Sequence, residues 1–128
     1  MSYYVSKTLA TSFEETIARV TEELKKEGFG ILTEIDVQKT LKAKLDVDFR
    51  PYVILGACNP PFAYQALRAE DKIGVLLPCN VIVQEVGPGQ IEVAAMDPAA
   101  AMEAVENPRL QEVAQQVQAK LRAVMGAL

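Results

Sequence analysis

Two Cys-Asn dipeptides carry the only thiols of a 128-residue chain that has no histidine: Cys58-Asn59 within Gly56-Ala57-Cys58-Asn59-Pro60-Pro61, and Cys79-Asn80 within Leu77-Pro78-Cys79-Asn80-Val81. Without an imidazole, the usual general base near neutral pH and the commonest metal ligand are both missing, so chemistry would fall to thiols, carboxylates, lysines or tyrosines. Cys58 directly precedes a helix start at Asn59-Pro60, where unpaired amides favour a thiolate. The alternative is a small apolar residue at a strand end, since free cysteine is among the most buried residue types. Cys79 follows Pro78 between two strands and carries the same two readings, with a loop position favouring access. If both sites converge at one end of a sheet, Cys58, Asn59, Cys79 and Asn80 form a candidate ligand site. Two thiolates joined by Met96 or Met102 would also suit a soft ion such as Cu(I). Zinc fits less well, because four good ligands are not visible. The reading assigns no catalytic residue, no metal ligand and no cofactor.

Other charged groups offer less. The pairs Glu14-Glu15, Glu22-Glu23 and Asp46-Asp48 fall in segments expected to face solvent. Gly87-Pro88-Gly89 joins two strands and lacks the Lys-Ser/Thr ending of a phosphate loop. Arg50 could hold an anion at the sheet rim, or simply lie on the surface.

Half the residues are apolar, which at this length predicts a single domain over residues 1–128 that buries about two thirds of its unfolded surface. Seventeen acidic against thirteen basic residues give a net charge of −4, which repels phosphate backbones and anionic lipid. Neither nucleic acid nor membrane is expected as a partner. The N-terminus does not read as a secretion signal, and apolar runs such as Val53-Ile54-Leu55 fall far short of the roughly 20 residues that span a bilayer. The expected setting is the cytoplasm, with the cysteines free rather than bridged.

The elements that must position the thiols follow from periodicity and caps. Tyr3 to Lys7 reads as a first strand, and Ser12 with Glu15 makes a capping box for a helix carrying Phe13, Ile17, Val20 and Leu24 on one face. Gly28 suits the left-handed stop, and Phe29 to Ile35 is a second strand. Asp36 caps a second helix with Val37, Leu41 and Leu45 as its stripe. Tyr52 to Leu55 reads as a buried strand, followed by Asn59 as the cap of a helix over Pro60 to Ala69. Strands are expected at Ile73 to Leu77, Val81 to Val86 and Ile91 to Met96, the last two as a hairpin over Gly87-Pro88-Gly89-Gln90. Asp97-Pro98 opens a helical region that is recapped at Asn107, and Leu110, Val113, Val117, Leu121 and Val124 form its final core stripe. The class is α+β: a mostly antiparallel sheet with helices packed on one face. If the other sheet face carries side chains such as Val53, Leu55, Ile82 and Val86 with too little cover, a homodimer is the simplest way to cover it.

Asp48-Phe49-Arg50-Pro51-Tyr52, Ile54-Leu55-Gly56-Ala57-Cys58-Asn59-Pro60, Ala66-Leu67, Ile73-Gly74 and Leu76-Leu77-Pro78-Cys79-Asn80-Val81 together resemble the domain-of-unknown-function family numbered 302. The resemblance implies a TATA-box-binding-protein-like β-α-β(4)-α arrangement and a homodimer. It supplies no activity, substrate or cofactor, and likeness to a DNA-binding fold does not transfer DNA binding. The sequence therefore reads as an uncharacterised cytoplasmic homodimeric domain binding a small ligand near the two Cys-Asn sites. The alternatives are a thiol-based redox sensor or enzyme, and a soft-metal, Cu(I)-binding protein.

Overall fold

Capping residues set the boundaries of the elements. In the computed structural model, which describes residues 2–128, strand β1 (Tyr4–Leu9) gives way to helix α1 (Phe13–Lys26) at Ser12. The Ser12 Oγ accepts from the Glu15 amide at 3.1 Å. The reciprocal half of the capping box is replaced, because the Glu15 carboxylate takes the Thr11 hydroxyl at 2.6 Å. Gly28, at φ +88°, ends the helix, and its amide donates to the Lys25 carbonyl at 3.0 Å. Strand β2 (Gly30–Asp36) then runs into α2 (Val37–Leu45), capped by Asp36 accepting from the Lys39 amide at 2.9 Å. The remaining elements are β3 (Tyr52–Cys58), α3 (Pro60–Ala69), β4 (Cys79–Gly87), β5 (Gln90–Met96), α4 (Pro98–Ala101) and α5 (Pro108–Ala127).

The five strands pair antiparallel in the order β1-β5-β4-β3-β2. The chain is thus a β-α-β(4)-α unit with α2, α3 and α4 inserted between its parts, an α+β fold. One sheet face carries the core. Val53 and Leu55 stand opposite Val83 and Val81, and with Val93 of β5 they are at most 4% exposed. Val20 and Leu24 of α1 and Leu110, Val117, Leu121 and Val124 of α5 join them in one cluster. Each such side chain contributes about 1.5–3 kcal/mol by leaving water.

Three sequence expectations need correction. Val53 and Leu55 do not share a face with Ile82 and Val86: alternation along paired strands places the first two under the helices and the others on the open side. Residues 73–77 form no strand. Asp71–Leu76 is a 3₁₀ segment in which Ile73 is buried while Val75 is 85% exposed, and the amides of Ile73 and Leu77 donate to Glu70 and Gly74. A short apolar run does not distinguish a strand from a tight turn with one anchored side chain. Helix α2 buries no residue, and Leu45 is exposed. It is fixed instead by its cap, by Gln38 donating to the Phe49 carbonyl at 2.9 Å, and by Lys42 near Asp46 and Asp48.

Among the described residues, no helix is long and apolar enough to cross a membrane.

Candidate functional site

Where β3 ends and β4 begins, Ala57 stands opposite Cys79 in the ladder. Helix α3 leaves this corner at Pro60 and packs on α5. Four alanines, Ala57 from β3, Ala63 and Ala66 from α3 and Ala114 from α5, meet there with larger side chains around them. A recess of about 290 Å³ lies against them, with Ala57, Ala66 and Ala114 at most 4% exposed in its lining. Phe29, Phe62, Met102, Val113 and Val117 complete most of its wall. Leu32 and Leu67 stand at its edge, 67% and 44% exposed, so it opens to solvent on their side.

Polar groups around the buried Asp97 and at the helix ends hold this wall in place. Asp97 caps α4 by accepting from the amides of Ala99 and Ala100 at 3.0 and 3.2 Å, and both its oxygens accept from Gln118 of α5 at 2.9 Å. Arg122 lies 3.6 Å away. Gln111 donates to the carbonyls of Met102 and Val105, so the segment carrying Met102 is pinned to α5. Asn107 caps α5 and donates to the Ala69 carbonyl at the end of α3, at 2.7 Å. On the strand side, Gly56 admits the Leu77-Pro78 segment: a β-carbon there would lie 2.8 Å from Pro78 Cγ and 2.1 Å from Thr33 Oγ1.

Cys58, Asn59 and Cys79 all line the recess. Asn80 does not. It follows Cys79 in a strand, so it points to the opposite face of the sheet, beside Ile82 and Gln84. Met102 lines the recess and Met96 lies on that open face. Both cysteines are free thiols, Cys58 half-buried and Cys79 buried. Burial pushes the Cys79 thiol up from 9.0 to about 11, and the neighbouring Cys58 adds to the push. Cys79 is therefore an un-ionised, apolar part of the wall at neutral pH. Among the described residues there is no group of three or more Cys, Asp or Glu side chains placed to hold a metal ion.

Asn59 occupies the position before α3, but its side chain does not cap that helix. Its Nδ2 instead donates to the Glu27 carbonyl at 3.1 Å and lies against Gly28, joining the end of α1 to the end of β3. Its Oδ1 receives no donor from the described residues, yet it is not sealed off from solvent. Arg50, a possible anion holder on sequence, is engaged internally: its Nε donates to Gln84 Oε1 at 2.7 Å and its guanidinium lies over the Phe49 ring.

The alanines were the lining residues that sequence reasoning missed. Ala114 sits one residue after Val113 in the α5 stripe, and Ala63 and Ala66 lie about one turn apart on α3, so small residues on two neighbouring helices were the available signal.

A family model described as domain of unknown function DUF302 matches residues 5–128. No curated protein matches the chain. Among solved structures, the chain is similar to the crystal structure of an uncharacterized conserved protein DUF302 from Bacillus stearothermophilus. The two are 31% identical over 98% of each chain, with a TM-score of 0.90.

Proposed function

The chain belongs to the DUF302 family, a domain of unknown function, and on that premise we propose that it is a binding domain that takes a small molecule into the recess between β3, α3 and α5. The convergence of Cys58, Asn59 and Cys79, from two segments about twenty residues apart, on one open cavity carries this reading. About 290 Å³ lies at the lower end of the range of small-molecule sites. A thiol-based sensor or enzyme and a Cu(I) carrier would use the same cysteines. The burial that keeps Cys79 protonated works against both, since each needs a thiolate.

The assembly proposed is a homodimer in the cytoplasm. The uncovered sheet face supports it, with Tyr3, Tyr4, Ile35 and Val86 all more than 40% exposed. Exposed apolar side chains grouped on one sheet face are commonly covered by a second copy. Sedimentation equilibrium of the native protein and Val86→Lys is expected to show a dimer that the substitution weakens. A monomer at all concentrations would remove this part of the proposal.

The binding reading is tested by amide chemical shifts on adding a fragment set of acids, amines and neutral compounds. Hits are expected to shift Ala57, Cys79 and Ala114 together and to be lost in Ala114→Phe. A set that shifts no residue of the recess contradicts it.

A further inference from the structure

The recess discriminates by what it lacks as well as by its shape. Among the described residues no lining side chain is charged, and Asn59 supplies the only hydrogen-bonding side chain apart from the two thiols. Lys120 lies 5.9 Å from the centre of the Phe62 ring and 3.9 Å from Glu27, which offsets its charge. A ligand carrying a full charge into this space would lose its hydration with no counter-charge to replace it. Asn59 lines the recess with its Nδ2 committed to the Glu27 carbonyl, while its Oδ1 accepts from none of the described residues. The volume is about twice that of a 150 Å³ apolar cavity that takes benzene, so a body of about ten carbons is accommodated.

Building on the binding reading above, we infer that the ligand is an uncharged, mainly hydrocarbon molecule of two-ring size or equivalent chain length. It places a single neutral O–H or N–H donor against Asn59 Oδ1. Cys79 and Met102 serve as polarisable, apolar wall.

The test uses three probes of one shape on the unmodified protein: 2-naphthol, 2-methoxynaphthalene and, at pH 7, 2-naphthoate. Calorimetry is expected to rank 2-naphthol first, with 2-methoxynaphthalene weaker by about fivefold because it cannot donate. Ionised naphthoate should be weaker by about tenfold or more. In Lys120→Met, which lies outside the lining, the ranking should be unchanged. Methoxynaphthalene binding as tightly as naphthol overturns the role of Asn59. Naphthoate binding as tightly as naphthol, or better and lost in Lys120→Met, overturns the neutral class while leaving the recess a binding site. If none of the three binds but a fragment of another class shifts the recess amides, the ligand class alone falls. If no compound of any class binds, the binding reading falls with it.

Discussion

Raising the pH should unfold this protein partly through one buried thiol. Cys79 is a buried part of the recess wall, and its burial moves its ionisation from 9.0 in an ordinary setting to about 11 in the fold. Below pH 9 both folded and unfolded chains keep the proton, so Cys79 imposes no pH dependence. Between pH 9 and 11 the unfolded chain loses the proton while the folded one retains it, and stability falls with rising pH. The loss is about 1.4 kcal/mol at pH 10 and approaches about 2.7 kcal/mol above pH 11, two pKa units at about 1.36 kcal/mol each. Urea unfolding of the native protein and of Cys79→Ala at pH 8, 9 and 10 isolates this share, because every other ionisable group is common to the two proteins. The native protein should lose about 1.4 kcal/mol more than the variant between pH 8 and pH 10. Parallel losses in the two would show that Cys79 is well solvated and that the wall is not dry.

Four further outcomes are expected. Asp97→Ala removes the cap of α4 and leaves the Gln118 amide without its acceptor, at a cost of about 2–4 kcal/mol in denaturant unfolding; a loss below about 1 kcal/mol would argue that α4 is not held this way. Asn59→Ala breaks the link to the Glu27 carbonyl and should cost about 1–2 kcal/mol, with faster exchange of the amides that close α1; unchanged exchange there would contradict the link. Gly56→Ala forces a methyl group against Pro78 and Thr33 and should destabilise by about 1–3 kcal/mol, part of it restored in Gly56→Ala/Thr33→Ala; no recovery would mean that Pro78 alone sets the limit. Ala114→Leu should change thermal stability by about 1 kcal/mol or less in either direction, because the recess has room for it, whereas overpacking of a filled site costs about 1–3 kcal/mol.

Much of this architecture was readable before any coordinates. Ser12, Asp36 and Gly28 announce helix ends by chemistry that acts within four residues, and the α5 stripe from Leu110 to Val124 repeats with a helical period over four turns. Local signals of that kind survive tertiary packing. Residues 73–77 failed because Val75, Leu76 and Leu77 look alike whether buried or exposed, and only the position of Ile73 against the core decides the conformation. The two faces of the sheet were mixed because pairing Val53 with Val83 is a matter of register between separate strands. Asn80 could have been separated from Cys79, since neighbours in a strand face opposite sides. Asn59 reads as a cap in sequence, and its bond to Glu27 depends on where α1 ends in space. The recess was the least legible feature, because its lining brings together residues 57, 63, 66 and 114 from three separate elements.

Everything functional in this account depends on that corner being open and poor in water. Crystals of the native protein and of Ala114→Phe held under xenon pressure test it most directly, because xenon enters apolar cavities that water leaves empty. A xenon site bounded by Ala57, Ala66 and Ala114 is expected in the native protein, and none there in the variant. A corner closed by its side chains, or filled by hydrogen-bonded waters that exclude xenon, would contradict it.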